Sequence, residues 1–461
     1  MIQEKTIAAI ATSSKNGSIS IIRVSGEEAL SCVSKIFFNI NGEPVDLIKC
    51  QTHTIHYGFI CDENRKTVDE VLVLIMKSPR SYTTEDVVEI HCHGGHLTCQ
   101  MVLQILLKTG ARAAEPGEFT KRAFLNGRID LSQAEAVMDV IQAENQIALG
   151  NSLSQLRGNI KEKIKNLREI LLTDIAFLEA GIDDPEHISL DEFSSILSSH
   201  VEMLQKEILL LLENSENGRI IKEGIRTVIV GRPNVGKSSF MNYMLREDRA
   251  IVTDVPGTTR DILEEELKIG PVVFRFIDTA GIHETEDIVE NIGIKKTKNA
   301  IEQSDFVLCI LDASSYLTEE DIFILQLCKD KQGIILLNKS DLNSRIKEED
   351  IYAICSKKIF RISASTGDGM EELEQEITSL FLSEDIDYNN EIYITNIRQK
   401  QALLDTKESL TRLEESIQSG MPEDFYSIDM TDAYEHLGKI IGETVEDDIV
   451  NKIFHDFCMG K

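Results

Sequence analysis

The sequence predicts a multidomain chain of mixed α/β and all-α class, in which one compact α/β unit is inserted into a helical one. Three observations predict it. Residues from about 221 to 383 alternate apolar strand-like runs with helical patterns. Residues from about 120 to 220, and again from 384 to 461, carry apolar residues at spacings of three and four. Residues 1 to 119 mix both signals in a separate stretch. The expected domains are therefore 1–119, 120–220, 221–383 and 384–461, the second and fourth being two parts of one helical domain. Insertion of this kind is tolerated where the ends of the inserted unit lie close together.

In the first domain, 6–10 and 19–24 read as strands around the turn-like Ser14-Lys15-Asn16-Gly17. A helix is expected after Ser25-Gly26, strands over 71–76 and 87–92, and a helix over 97–107. His91-Cys92-His93-Gly94-Gly95-His96 raises a zinc reading. Alternation along a strand, however, places Cys92 on the face opposite His91 and His93, and no second ligand pair sits nearby. A strand end, a Gly-Gly turn and a helix start account better for it. In the helical part, Leu149, Leu153, Leu156, Ile160, Ile164, Leu167 and Leu171 form one stripe. Phe193, Leu197, Val201, Leu204, Ile208 and Leu211 form another. Asn214-Ser215-Glu216-Asn217-Gly218 reads as a linker or helix stop. Leu403, Lys407, Leu410, Leu413 and Ile417 continue the pattern, and a last helix is expected over about 432–457.

The chain has 461 residues, is 42% hydrophobic and carries a formal charge of −30. That charge argues against a free-standing nucleic-acid binder, because phosphate neutralisation drives such binding. Contact with RNA is expected to be local or supplied by a partner. The nine cysteines include no C-x-x-C pair, which suits free thiols in a reducing cytoplasm. No apolar run is long enough to span a membrane. The terminal Cys458-Met459-Gly460-Lys461 has the wrong residue types for prenylation.

The inserted unit carries Gly231-Arg232-Pro233-Asn234-Val235-Gly236-Lys237-Ser238-Ser239. The apolar Val228-Ile229-Val230 precedes it and an amphipathic run over 238–245 follows. A glycine-bounded loop between strand and helix is a phosphate cradle, G-x-x-x-x-G-K-S. Gly231 and Gly236 let the backbone curl its N–H groups toward phosphate oxygens. Lys237 reaches the β- and γ-phosphates, and the Ser238 hydroxyl would ligate Mg²⁺. Asp278-Thr279-Ala280-Gly281 follows an apolar strand; Asp278 can hold the Mg²⁺ shell, and Gly281 lets a backbone N–H approach the γ-phosphate. Asn338-Lys339-Ser340-Asp341 follows Ile334-Ile335-Leu336-Leu337. The Asp341 carboxylate can accept two hydrogen bonds from a guanine edge. Ser363-Ala364 follows another strand and can present a backbone N–H to the guanine carbonyl. In this order and spacing the set resembles the signature of GTPases with a Ras-like domain.

Further residues carry a narrower resemblance. Ile21-Ile22-Arg23-Val24-Ser25-Gly26, the run Pro116-Gly117-Glu118-Phe119-Thr120-Lys121-Arg122-Ala123-Phe124-Leu125-Asn126-Gly127, and Asp130-Leu131-Ser132-Gln133-Ala134-Glu135-Ala136 belong to it. So do Gly257-Thr258-Thr259-Arg260-Asp261 and the terminal Phe457-Cys458-Met459-Gly460-Lys461. Together with the loop motif they resemble the MnmE (TrmE) family of tRNA-modification GTPases, over the whole chain. Two stretches depart from the family. Ser13-Ser14-Lys15-Asn16 stands where a Pro/Gly/Arg-rich turn is usual, and Thr84 replaces a common Gly in Tyr82-Thr83-Thr84-Glu85-Asp86.

The resemblance implies a cytoplasmic homodimer built through N-terminal domains. It implies a flavoprotein partner, MnmG (GidA), in a heterotetramer that supplies most of the tRNA contact. Together they would add a carboxymethylaminomethyl or aminomethyl group at carbon 5 of the wobble uridine. The carbon would come from a tetrahydrofolate derivative (5-formyl- or 5,10-methylene-) held by Arg23, Glu85, the Phe124 neighbourhood and Lys461. Ile282 stands where Ras-like enzymes have a water-orienting Gln, and the family gives that task to Glu290. Asn234 and the carbonyls of Thr253, Val255 and Thr258 would hold K⁺. Thr259 would join Ser238 on Mg²⁺, closing the nucleotide-facing loop Thr253-Asp254-Val255-Pro256-Gly257-Thr258-Thr259 over GTP. A structural role for Cys458 is favoured over a covalent one. Two rivals remain. A ribosome-assembly GTPase would usually carry a basic RNA-binding module, which is not visible here. A folate-dependent aminomethyl transferase with a regulatory GTPase is the other.

Overall fold

The computed structural model describes residues 5–12, 17–143, 145–190, 192–246, 265–269, 272–277, 290–381, 393–443, 452–455, 457 and 460. The chain forms two units. One comprises Met1–Ile141, Leu153–Ile208 and Gln401–Lys461; the other comprises Gln142–Ser152 and Leu209–Lys400.

The first unit holds a seven-stranded sheet in the order β3-β4-β5-β6-β2-β1-β7. The strands are β1 (Ile7–Ile10), β2 (Ile19–Ser25), β3 (Phe37–Phe38), β4 (Thr54–Cys61), β5 (Thr67–Met76), β6 (Val87–His93) and β7 (Arg112–Ala113). Neighbours pair antiparallel except β1 with β7. Alternation sorts the residues: Val71, Val73 and Ile75 of β5 enter the core with Ile22 and Val24 of β2. Helix His96–Lys108 covers that face with Cys99, Val102 and Leu106, spaced to share one side. The other face exposes Ile19, Ile55, Tyr57 and Leu72. Strand β4 escapes the sequence reading because its apolar residues point both ways. Ile55 and Tyr57 are exposed while Ile60 is buried, so no clean alternation survives.

Helices Glu118–Leu125, Asn159–Asp183 and Tyr426–Ile441 belong to the same unit. Ile160, Ile164, Leu167, Leu171 and Leu178 are buried along one face of the second. Met430, Ala433, Leu437 and Ile440 are buried on the third, which packs against it. Arg168 is shared between them: its guanidinium lies 4.0 Å from the Tyr434 ring centre and pairs with Glu443. Two expectations need correction here. The stripe from Leu149 to Leu171 is divided between two helices, because Gly158 adopts φ +95° and separates Gln146–Leu156 from Asn159–Asp183, and it is not buried throughout. Leu149 and Leu153 are exposed. The helix expected from about 432 starts at Tyr426 and ends at Ile441, where Gly442 takes a left-handed φ of +87° and donates to the Gly438 carbonyl, while 452–455 are helical again.

The expected stop at Asn214–Gly218 is also corrected. Helix Phe193–Glu223 runs through it. Gly218 is small for a packing reason, since a Cβ there would come within 2.4 Å of the Ile394 carbonyl oxygen. The helix is ended by Gly224, with φ +75°.

The second unit contains a six-stranded sheet in the order β13-β12-β11-β8-β10-β9. Its strands are β8 (Ile225–Val230), β9 (Glu265–Ile269), β10 (Val272–Phe276), β11 (Phe306–Asp312), β12 (Gly333–Asn338) and β13 (Ile359–Arg361). All neighbours are parallel except β9 and β10. Strands β8, β11 and β12 are nearly continuous apolar runs because both faces are covered. One face packs on Phe240, Met244, Leu373 and Ile377, and the other on Ile301, Leu325 and Ile351. In such sheets ligands bind beyond the carboxyl ends of the strands.

Candidate nucleotide site and a polar cluster in the first unit

The loop 231–236 leaves the carboxyl end of β8, an interior strand, and runs into helix Lys237–Arg246. Gly231 and Gly236 have φ +153° and +102°, and Asn234 is left-handed at +65°, a conformation Asn tolerates. Gly236 has no alternative: a Cβ there would stand 2.1 Å from the Asn338 Nδ2. The loop N–H groups and the helix N-terminus therefore form an anion cradle. The Lys237 amine donates to the Gly231 and Arg232 carbonyls at 2.7 and 3.0 Å. Burial pulls its pKa below the usual lysine range, with nearby Glu320 acting the other way. Ser238 and Ser239 follow in the helix's first turn.

The other motifs arrive at the same sheet edge. Asn338, at the end of β12 and buried, donates from Nδ2 to the Val235 carbonyl at 2.8 Å and accepts at Oδ1 from the Ala364 N–H at 3.0 Å. Lys339 donates to the Asn234 carbonyl at 3.0 Å and to Asp312 at 2.6 Å. The Ser363 hydroxyl donates to Asp341 at 2.7 Å, which orients that carboxylate. Residues 234, 235, 338, 339, 341, 363 and 364 are thus one hydrogen-bonded group. Asp312 was missed in the sequence; an acid closing the apolar run of β11 was the available signal. Burial raises its pKa, but Lys339 and Ser314 outweigh this and hold it below the usual carboxylate range. Glu290 is the first residue of helix Glu290–Gln303. Thr253, Asp254, Val255, Pro256, Gly257, Thr258, Thr259, Asp278, Thr279, Ala280 and Gly281 lie outside the described residues.

The first unit has a second polar cluster. Glu85 accepts from the Ser25 hydroxyl at 2.6 Å and from Arg122 Nη1 at 3.0 Å on both oxygens. Arg122 is 2% exposed and also binds Glu118 and the Lys5 carbonyl. Glu118 in turn holds Arg112. Burial raises the Glu118 pKa, yet Arg112, the Glu115 N–H and Arg122 together bring it below the usual range. Arg23, on the same strand as Ser25, pairs with Glu89 at 2.9 Å and lies 5.3 and 5.7 Å from the ring centres of Tyr82 and Phe119. It also donates to the Gly460 carbonyl at 3.4 Å, next to Lys461, which lies outside the described residues, as does Cys458. Phe124 does not join this group directly; its ring contact is with Phe454, at 6.2 Å. Thr84, in the position where the resembled family usually has Gly, has φ +64°. Ser13 to Asn16 lie outside the described residues. Ser25, Tyr82 and Arg122 were quoted in motifs but not recognised as members of a site.

Arg122→Met should destabilise the full chain by about 3 kcal/mol, because two acids lose their shared partner and Glu118 stays buried. The urea midpoint would report it. An unchanged midpoint would show that the cluster is not a stabilising network.

The zinc reading finds a different arrangement. Cys92 is buried with its sulfur 3.8 Å from that of Cys99, and burial pushes its pKa up to about 12. His93 stands on the exposed face, bonded to Asp69 at 2.7 Å, which raises its pKa.

A doubly wound sheet with a glycine-bounded phosphate loop, and with Asn, Lys and Asp at the neighbouring strand end, defines a P-loop nucleotide-binding protein. Two family profiles match the chain: "GTP-binding protein TrmE N-terminus" over 6–128 and "MnmE helical domain" over 131–458. The tRNA modification GTPase MnmE of Lachnoclostridium phytofermentans is 53% identical over 456 residues, covering 99% of each chain. Its counterpart in Clostridioides difficile is 46% identical over 462 residues, covering 100% of each. That of Enterococcus faecalis is 44% identical, covering 99% of this chain and 98% of its own. The chain belongs to the MnmE family of tRNA modification GTPases. No described helix is long and apolar enough to cross a membrane.

Proposed function

We propose that this chain is a potassium-activated GTPase that, with the flavoprotein MnmG, installs a carboxymethylaminomethyl or aminomethyl group on carbon 5 of the wobble uridine, using a tetrahydrofolate carbon. The observation that carries this reading is the nucleotide group at one sheet edge, in a chain aligned end to end with relatives of that name. Asp341 accepts the guanine edge, and the loop 234–239 with Lys237 receives the phosphates. The hard oxygen donors suit the implied ions. Ser238 and Thr259 would hold Mg²⁺, with Asp278 in its shell; Asn234 and the carbonyls of Thr253, Val255 and Thr258 would hold K⁺. Bound there, the ions supply positive charge near the γ-phosphate. Glu290 orients the attacking water, a role Ile282 has no polar group to fill.

In the N-terminal domain, Glu85 and Arg23 supply an acceptor and a donor beside the rings of Tyr82 and Phe119. That set suits a flat ring with an amino-pyrimidine edge, so the residues fit a pterin. Lys461 follows Gly460 in the sequence, and the Gly460 carbonyl accepts from Arg23, which supports its assignment to this site. Exposed Ile19, Ile55, Tyr57 and Leu72 on the open sheet face support a homodimer through this domain. The charge of −30 supports tRNA contact through the complex, in the cytoplasm.

The test is nucleoside analysis of tRNA from a deletion strain. The wobble modification should vanish and return with the wild-type gene, but not with Glu290→Ala. A full complement of modified uridine in the deletion strain would end this reading.

A further inference from the structure

We propose that one end of the helical pair Asn159–Asp183 and Tyr426–Ile441 is the surface on which the flavoprotein docks, through an apolar segment flanked by Lys and Arg. The inference rests on the partner reading above and gives that partner a place on this chain. Gly442, just past the second helix, packs on Leu131, where a Cβ would stand 2.7 Å from the leucine side chain. Lys161, in the first turn of the first helix, lies 3.9 Å from Asp130. The end of one helix and the start of the other thus meet neighbouring residues, so the packed pair runs antiparallel. The opposite end lies about 24 Å away along the 16 residues of the second helix. There the short turn Glu423–Phe425 packs on the first helix, near its last turns. That end exposes Phe177, Ile182, Met421, Phe425 and Ile428. Phe425 is 51% exposed and Ile428 62%. Exposed apolar residues scattered singly are ordinary, but a group of them within a charged rim marks an interaction site.

The rim says what kind of surface fits. Residues 169–205 contain nine carboxylates and no Lys or Arg, and residues 413–438 contain seven and again none. Together these outweigh half of the chain's net charge of −30. Arg412, at the border of the second stretch, is taken up by Asp429 and Asp432 at 2.8 and 3.2 Å. Glu179, Asp183 and Asp424 are exposed and have no ion pair among the described residues. Such a rim repels phosphate groups, which excludes a nucleic acid. A second copy of the chain would set the same acids against one another. What remains is a different protein with Lys and Arg around an apolar centre. Opposite charges then steer the approach, and the buried apolar contacts hold the complex. The flavoprotein is the protein partner that the reading above requires.

The probe is the purified flavoprotein of the same organism, titrated onto the full chain. The double variant Phe425→Ser/Ile428→Ser removes two exposed side chains, so it should fold, and its affinity for the flavoprotein should fall at least about thirtyfold. The double variant Glu179→Lys/Asp424→Lys should associate about tenfold more slowly in low salt, a difference that added salt should erase. Both should keep the GTP hydrolysis rate of the free chain, which shows that the fold is intact. Wild-type affinity in the first variant together with wild-type association in the second would remove the surface and leave the partner reading standing. Faster association on charge reversal would overturn the inference, as would a first variant that loses only self-association in sedimentation. If the wild-type chain does not bind the flavoprotein at all, the partner reading itself falls and takes this surface with it.

Discussion

Asp341→Asn is expected to weaken GTP binding by at least about a hundredfold and to create affinity for xanthosine triphosphate. Two hydrogen bonds to a charged acceptor contribute about 1.5–3 kcal/mol each, and 1.4 kcal/mol is a factor of ten. The guanine edge offers two N–H donors, which a carboxylate accepts together. An amide accepts one and confronts the other with its own donor. Xanthine carries a carbonyl where guanine has its amino group, so the amide becomes the better match. The loop should survive the change, because Ser363 donates to Asp341 Oδ1 and an amide oxygen can accept the same bond. Calorimetric titration with both nucleotides checks it. A variant with full GTP affinity and none for the xanthine nucleotide would show that Asp341 does not read the base.

Hydrolysis is expected to run roughly a hundredfold faster in KCl than in NaCl at equal ionic strength, a conservative share of the 10³–10⁵ that an arginine finger contributes. Charge develops on the γ-phosphoryl oxygens, and something positive must meet it. The arginine of the loop is committed elsewhere: Arg232 pairs with Asp321 at 3.3 Å and bonds Ser315. Lys339 is held by Asp312 and the Asn234 carbonyl. Lys237 carries charge, but a GTPase needs more than the loop lysine. Asn234, with its left-handed backbone, is the described residue proposed for a monovalent cation. Sodium is too small for a carbonyl cage sized for potassium. Asn234→Ala should therefore reduce the rate in KCl toward that in NaCl, read as phosphate release at saturating GTP. Equal rates in the two salts, with association of the nucleotide domains also unchanged by the cation, would remove potassium from the mechanism.

The nucleotide motifs were legible in the sequence because each is local. A glycine-bounded loop, or an Asn-Lys-x-Asp after four apolar residues, announces itself within ten residues, and parallel strands buried on both faces read as continuous apolar runs. The order of these motifs along the chain was enough to expect an inserted Ras-like unit of alternating strands and helices. Helix ends were less legible. Asn214 to Gly218 has turn composition, but a single glycine costs a helix only about 1 kcal/mol, and close packing on Ile394 overrides that. Strand β4 was hidden because apolar residues lie on both of its faces. The tertiary structure alone decided what no spacing encodes. Asn338 meets Val235 across 103 residues, Arg122 meets Glu85 across 37, and Arg23 meets Gly460 across 437. The side-chain periods of a helix or strand say which face a residue occupies. They carry nothing about which distant segment will lie against that face. The acidic end of the helical pair is of this second kind: residues 169–205 and 413–438 are separate stretches in the sequence, and only the fold gives them a common surface.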